Sequence, residues 1–245
     1  MVKIGVIQTS SFRNNHKGIE KISENLEKIS RNEVDIVCLP EQWLQNNFSD
    51  DFDKEFLPFK KISKEFGTTI IPGAFFQKKK NITKILAPII GPNEEIIGHQ
   101  AKIHPYDYEN ITVKPGKEAS VFKTACKFGI IVCYDMVFPN VAQTMAKKGA
   151  QLLLSPSRIV KAGIEPWKMY VQVRALENRI PIVGANVQDK KFGGNSMIVS
   201  MKEKNKIVRT SLSIPDRNGI IIKNIDLNEL DRLRKKRFSD FKKFS

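Results

Sequence analysis

Cys133 lies between an apolar run and a polar turn in the stretch GIIVCYDMVFPN, residues 129–140. A thiolate is a strong nucleophile, but an unperturbed thiol has a pKa of about 8.5 and is mostly protonated at neutral pH. The pattern predicts a strand that gives way to a helix at Cys133, where amide N–H groups can stabilise a thiolate or an oxyanion. Free cysteine is also among the most buried residue types, so a packing role for Cys133 stays open.

A base must take the proton of Cys133, and two common arrangements are excluded. Ile131 and Asp135 stand where the G-x-C-x-G elbow of an α/β-hydrolase would need glycine. None of the three histidines lies in a recognisable cysteine-protease context. The base must therefore be another side chain.

Glu41, Lys102 and Glu109 are the other candidate reactive groups. Glu41 directly follows the apolar run VDIVCLP, at a strand end, where sites in α/β folds usually lie. Lys102 lies near the end of EEIIGHQAKIHPYD, and Glu109 follows seven residues later in a loop. Each of them taken singly is typical of a solvated surface charge, so only their joint occurrence in recognisable motifs, described below, would favour a catalytic site.

The elements that must position these residues alternate between strands and helices. Apolar runs predict strands over 2–8, 34–40, 69–76, 82–90, 94–103, 128–133, 151–156, 180–187, 196–201, 205–212 and 219–227. Helical spacing predicts helices around 19–29, 56–66, 138–149 and 166–178. No linker or repeat divides the chain, so we expect one α/β domain over residues 1–245, consistent with two packed sheets covered by helices.

Charge and cysteine content limit the class of protein. The formal charge is +15, but lysines are spread along the chain, and a dense basic block occurs only at 233–244, within a basic C-terminal segment over 227–245. These charges alternate with the aromatic residues Phe238, Phe241 and Phe244. We therefore expect the segment either to bind a partner or to pack on its own protein or on a second subunit. No nucleic-acid motif accompanies it, so we expect no nucleic-acid partner.

Three cysteines without a C-x-x-C pair argue against a zinc site or a disulfide framework. Cys38 lies among apolar neighbours and Cys126 in a turn without an acid or base motif, so we expect both to be structural. No apolar run approaches the length of a membrane span. We therefore expect a protein of the reducing cytoplasm without a membrane partner.

The motifs LPEQW, AKIHPYDYE and GIIVCYDMVFPN, in this order, resemble the nitrilase superfamily of carbon-nitrogen hydrolases. VKIGVIQ, KKGAQLLLSPS, EPWKMYVQVRALENRIPIVGANV and GGNSMIV extend the resemblance over nearly the whole chain. It implies a four-layer αββα sandwich of two packed mixed β-sheets covered by helices. It also implies that Cys133 is the nucleophile, Glu41 the general base and Lys102 the cation that stabilises the tetrahedral intermediate with the backbone N–H of Tyr134. Glu109 matches the supporting glutamate of the family.

The resemblance further implies a small amide or nitrile substrate, no metal or organic cofactor, and a homodimer or higher homo-oligomer. The expected activity is that of an amidase acting through a cysteine acyl-enzyme. Nitrile or N-carbamoyl hydrolysis, or a non-catalytic partner-binding role, is the alternative.

Val137 and Asn140 depart from the family pattern, in which many members carry arginine and glutamate. We therefore expect different packing after the nucleophile. Trp167 either lines the substrate pocket or packs in a helix core, and Arg158 either binds a substrate carboxylate or is a solvated loop charge.

Overall fold

Two mixed β-sheets pack face to face in the computed structural model, which describes residues 1–240 and Lys242. The first sheet contains β1 (Val2–Ile7), β2 (Ile36–Cys38), β3 (Thr69–Ile71), β4 (Phe75–Lys79), β5 (Ile82–Ile90), β6 (Ile96–Ala101) and β13 (Ile220–Ile225). The second contains β7 (Val121–Lys123), β8 (Lys127–Ile130), β9 (Leu152–Ser157), β10 (Ile182–Asn186), β11 (Met197–Lys204) and β12 (Ile207–Ser213). The strand orders are β13-β1-β2-β3-β5-β4, with β6 on β5, and β12-β11-β10-β9-β8-β7.

Alternating side chains explain why the sheets pack together. Successive residues of a strand point to opposite faces, and both faces here are apolar. In β9, Leu152 and Leu154 belong to the core between the sheets, whereas Leu153 belongs to the core under the helices of the second sheet. In β2, Ile36 and Cys38 face the other sheet, and Val37 faces outward. Each sheet therefore has to be covered on its outer face as well.

Amphipathic helices provide this cover. On the first sheet, α1 (Asn15–Ser30) and α3 (Leu57–Phe66) bury Ile22, Leu26 and Phe59, and the short α2 (Phe52–Glu55) precedes α3. On the second, α4 (Pro139–Lys147) buries Met145, and α5 (Ile164–Asn178) buries Trp167 and Val171, against the sheet. The four layers confirm the predicted αββα sandwich.

The C-terminal segment includes α6 (Leu227–Ser239), which contributes Leu227, Leu230 and Leu233 to the core between the sheets. Phe238 packs against the core under α4 and α5. The first part of the basic segment therefore packs on its own protein. Phe241 and Phe244 lie outside the described residues. No helix in the part of the chain that the structure describes has both the length and the apolar character to cross a bilayer.

The helix predicted around 138–149 is present as α4, but the expectation that Cys133 lies at its start is wrong. The chain does not enter an α-helix at Cys133; residues Cys133–Val137 form a short 3₁₀ turn, and α4 begins only at Pro139. Proline suits the first turn of a helix because it lacks an N–H, and this explains where α4 starts.

Candidate active site

The candidate reactive residues come from the ends of three strands in the two sheets. Glu41 follows β2 and Lys102 follows β6 in the first sheet, whereas Cys133 follows β8 in the second. The amide of Glu41 donates a hydrogen bond of 3.2 Å to the carbonyl of Ser157, the last residue of β9. This bond ties the two sheets together beside the site.

Cys133 adopts a backbone conformation that is uncommon for a residue with a side chain. Its φ is +47°, in the left-handed region, and Gln42 beside Glu41 has a φ of +48°. Such conformations cost on the order of 1–3 kcal/mol each and persist where the surrounding structure enforces them. The sharp turn lets the chain leave β8 with the Cys133 side chain facing the cavity described below.

Lys102 joins two carboxylates in a buried ion cluster. Its Nζ lies 3.0 Å from Oε1 of Glu41 and 2.8 Å from Oε2 of Glu109. The three side chains are 1% to 4% exposed. Glu109 is held in turn by the amide of Tyr106, which donates to its Oε2 at 2.7 Å. An ammonium group has three N–H donors, so one donor of Lys102 remains for a substrate.

The thiol of Cys133 is kept protonated by its surroundings. Burial and then the negative charge of Glu41 raise its pKa above the usual value, although Lys102 and the backbone N–H of Arg158 act in the opposite direction. The sequence predicts a helix N-terminus that favours the thiolate, but the 3₁₀ turn at Cys133 provides no long helix dipole.

Lys102 is held as an ammonium ion. Burial by itself lowers its pKa, but the negative charges of Glu41 and Glu109 and the hydrogen bond to Glu109 outweigh burial and raise the pKa above its usual value. The cluster therefore combines a proton acceptor beside a thiol with a fixed positive charge.

These residues form the inner end of a cavity of about 300 Å³, lined by Glu41, Gln42, Lys102, Tyr106, Tyr108, Glu109, Cys133, Tyr134, Val137, Arg158, Ile159, Val160, Gly163, Pro166, Trp167, Tyr170, Lys191 and Phe192. The apolar and aromatic members form its walls. A volume of this size fits a small organic molecule.

Trp167 has both of the roles that the sequence left open. It is 4% exposed, belongs to the core under α4 and α5, and packs so closely on Gly184 that a Cβ there would come within 2.8 Å of its ring. The same side chain also lines the cavity.

Arg158 lies in the cavity wall with its guanidinium partly engaged. One of its amino groups donates to the carbonyl of Gln42 at 3.0 Å, and its Cζ lies 4.7 Å from the centre of the Phe192 ring. Lys191 is exposed at the cavity mouth, with Nζ 5.6 Å from the same ring centre. The lining residues thus carry three cations against two carboxylates, and both carboxylates pair with Lys102.

A cation from α5 holds the turn after Cys133. Arg174 donates to the carbonyls of Met136 and Val137 at 3.2 and 2.7 Å. Val137 lines the cavity, whereas Asn140 is exposed in the first turn of α4.

Asp135 and His104 are two site residues that the sequence reasoning missed. The carboxylate of Asp135 accepts hydrogen bonds from the amide of Ile103 and from both the amide and Nδ1 of His104. Burial raises the pKa of Asp135 above its usual value, and these donors oppose the change. Asp135 follows Cys133 by two positions and His104 follows Lys102 by two, but this spacing does not by itself indicate that the two side chains meet.

Within the described residues, no three His, Cys, Asp or Glu side chains are grouped to hold a metal ion. Cys38 and Cys126 lie in the core between the sheets. Burial raises the pKa of both thiols, that of Cys126 to about 12.

Comparisons with known proteins agree on one family. The carbon-nitrogen hydrolase family model matches residues 3–235. The chain is 31% identical over 170 residues to a probable nitrilase from Schizosaccharomyces pombe, covering 67% of this chain and 61% of that protein. It is also 31% identical over 156 residues to an omega-amidase from Xenopus tropicalis, covering 57% and 56%. The chain therefore spans less than two thirds of the length of these two relatives.

The fold has solved counterparts. The crystal structure of Saccharomyces cerevisiae Nit3, a member of branch 10 of the nitrilase superfamily, matches with a TM-score of 0.79. The match covers 96% of this chain and 93% of that one at 21% sequence identity.

Proposed function

The chain belongs to the carbon-nitrogen hydrolase family, and from this premise we propose that it is an amidase that cleaves a small carboxamide to a carboxylic acid and ammonia. The observation that carries the proposal is the buried cluster of Glu41, Lys102 and Glu109 around the Cys133 thiol, at the inner end of a cavity. A buried charge cluster of this kind is costly to build, and perturbed groups in a cleft are typical of catalytic sites.

The first half of the proposed reaction forms a thioester. Glu41 takes the thiol proton as the sulfur of Cys133 attacks the amide carbonyl carbon. Lys102 and the backbone N–H of Tyr134 stabilise the negative oxygen of the tetrahedral intermediate. Glu41 then returns the proton to the amide nitrogen, the C–N bond breaks, and ammonia leaves.

The second half releases the acid. Water enters in place of ammonia, Glu41 takes one of its protons, and the resulting hydroxide attacks the thioester carbon. The C–S bond breaks, the carboxylic acid leaves, and the proton returns to the sulfur of Cys133. Glu109 holds Lys102 in position throughout, and the cycle uses only protein groups and water.

The rest of the substrate is proposed to be a short linear chain that ends in a carboxylate. Arg158 and Lys191 contribute two positive charges away from the Lys102 cluster, whose one ammonium and two carboxylates sum to one negative charge. The guanidinium of Arg158 has donors left after its bond to Gln42, and a guanidinium binds a carboxylate well through two parallel hydrogen bonds. A relative named as an omega-amidase supports an amide, and one named as a probable nitrilase makes a nitrile the competing substrate.

The test is ammonia release from a panel of short amides, N-carbamoyl compounds and nitriles, with wild type and Cys133→Ala. We expect amide turnover by the wild type and none by the variant. Turnover of nitriles alone would replace the amidase assignment by a nitrilase. Absence of turnover, together with absence of iodoacetamide labelling at Cys133, would overturn the enzymatic function.

Compartment and assembly complete the proposal. Three free thiols support a reducing compartment such as the cytoplasm, and the family resemblance supports a homodimer. Light scattering on the purified protein tests the dimer, and a monomeric mass at micromolar concentration would contradict it.

A further inference from the structure

Asp135 connects the turn that carries Cys133 to the segment that carries Lys102. Its Oδ2 accepts from the amide of Ile103 at 3.1 Å, and its Oδ1 accepts from the amide of His104 at 2.7 Å. The imidazole Nδ1 of His104 lies 2.8 Å from the same Oδ1. One carboxylate therefore holds three N–H groups of the segment that begins at Lys102.

Only a few residues of chain separate this connection from the two reactive residues. Asp135 lies two residues after Cys133, and His104 lies two residues after Lys102. With about 3.3–3.6 Å of reach per residue, little slack exists between the clamp and either reactive group. A shift of the Asp135 carboxylate would therefore move the ammonium of Lys102 relative to the sulfur of Cys133.

Ring contacts reinforce the same connection. The His104 ring stacks on Phe138, with centres 3.7 Å apart and planes 11° apart. Tyr106 meets the ring of Tyr134 edge-on, with centres 5.0 Å apart. Both pairs again join the segment after Lys102 to the turn after Cys133.

A need to fill space in the core does not explain why a carboxylate is buried at position 135. Its side chain is 1% exposed, and the penalty for burying a carboxylate is several kcal/mol even after relaxation. When a buried ion pair is replaced by apolar side chains of similar volume, the stability of the fold is often unchanged or increased. A carboxylate that bonds three donors from one neighbouring segment instead fixes the position of that segment.

We infer that Asp135 and His104 form a clamp that positions Lys102 against Cys133, so that both are positioning residues for catalysis. The inference rests on the proposed amidase function. The clamp touches neither substrate nor reacting atoms, so its loss lowers kcat while KM for the amide stays nearly constant. The backbone of Cys133, in its left-handed conformation, needs such outside support.

The test separates the hydrogen bond of His104 from its ring. His104→Phe keeps a ring to stack on Phe138 but loses the bond to Asp135. His104→Asn loses the ring but keeps an N–H that can reach Asp135. We expect kcat to fall about 10-fold or more in His104→Phe, and about 100-fold in Asp135→Asn, since a misplacement of 1 Å costs that much. His104→Asn should retain more of kcat than His104→Phe.

A second measurement follows the thiols directly, so that the clamp is tested whatever the substrate. Iodoacetamide labelling of Cys133, read by mass spectrometry, should slow in His104→Phe and Asp135→Asn and recover in His104→Asn. Cys38 and Cys126 are buried in the core and serve as controls, because they become labelled only if the fold opens. The side chain of His104 is 27% exposed, whereas that of Asp135 is 1% exposed. We therefore expect the His104 variants to fold even if Asp135→Asn does not.

Equal kcat values for both His104 variants, unchanged Cys133 labelling in both, or losses confined to KM would overturn the clamp. Full amide turnover by Cys133→Ala would overturn the proposed function instead. Slower Cys133 labelling in His104→Phe than in His104→Asn, without amide turnover in the wild type, would support the clamp and remove the amidase assignment.

Discussion

The inner end and the rim of the cavity are built in different ways. At the inner end, Glu41, Lys102 and Glu109 are almost fully buried and their charges are paired within 3.0 Å. At the rim, which we define as Arg158, Lys191, Tyr108 and Val160, the side chains are half-buried or exposed.

Under the proposed function, this difference separates the residues of the reaction from those of substrate recognition. A buried charge needs a partner at one fixed place, so few residue types are tolerated at the inner end. An exposed cation at the rim keeps its hydration and gains little from any single contact. Changes at the inner end should therefore abolish turnover or folding stability, whereas changes at the rim should alter which substrates bind.

The largest effect is expected for Glu41→Gln. Burial and the charge of Glu41 hold the pKa of Cys133 above its usual value, so the thiol is protonated at neutral pH and needs a base. Loss of a general base typically costs about 10²–10⁴-fold, and we expect kcat/KM for the amide to fall by that range. Steady-state ammonia release measures it.

The matched control for Glu41→Gln is Glu65→Gln on the exposed surface of α3. It makes the same chemical change, and we expect activity equal to that of the wild type. Equal losses in the two variants would show that the inner end has no special role.

Lys102→Met should lower stability in addition to removing the contact proposed to stabilise the tetrahedral intermediate. It leaves Glu41 and Glu109 buried without their cation, and breaking a buried pair in this way costs about 3–5 kcal/mol of unfolding free energy. Urea denaturation followed by tryptophan fluorescence measures the change. Adding Glu109→Gln should recover part of the loss, because glutamine still accepts the Tyr106 N–H without a charge.

If Lys102→Met has wild-type stability, the ion cluster does not support the fold. The buried charges of the inner end would then contribute no more to stability than the exposed charges of the rim. If Glu109→Gln makes Lys102→Met still less stable, Glu109 is held mainly by contacts other than its charge.

The same contrast explains how far the sequence could predict the structure. Strand alternation and helix spacing were consistent with two packed sheets covered by helices, and the family resemblance implied the four-layer order that the structure has. Glu41, Lys102 and Cys133 could be proposed because each ends a strand inside a recognisable motif. Their roles stay predictions, and so does the single domain over residues 1–245.

The clamp and the rim could not be predicted because they depend on distant segments. Asp135 reads as an ordinary turn residue until the structure brings His104 to it from 31 residues away. Lys191 is one lysine among many until the chain places it beside the Phe192 ring at the mouth of the cavity. The 3₁₀ turn at Cys133 was missed because apolar spacing cannot distinguish one turn from the start of a helix.

At the rim, Arg158→Gln should raise KM for an amide that carries a carboxylate. A hydrogen bond to a charged group contributes about 1.5–3 kcal/mol, so we expect about 10- to 150-fold. An amide of equal length with a neutral end provides the control, and its KM should change little. Equal changes for both amides would mean that Arg158 supports the wall, through Gln42 and Phe192, rather than the substrate.

Lys191→Met should have the smallest effect, because Lys191 is exposed and its charge is screened. Exposed ion pairs contribute about 0.2–1 kcal/mol, so KM for the carboxylated amide should rise by less than about 6-fold. The effect should fade at high salt, since the screening length drops from about 8 Å at 0.15 M to about 3 Å at 1 M.

Lys190→Met, which changes an exposed neighbour outside the cavity lining, is the control and should leave KM unchanged. A loss for Lys191→Met as large as that for Arg158→Gln, and insensitive to salt, would mean that Lys191 closes over the bound substrate and that the rim shares the buried character of the inner end.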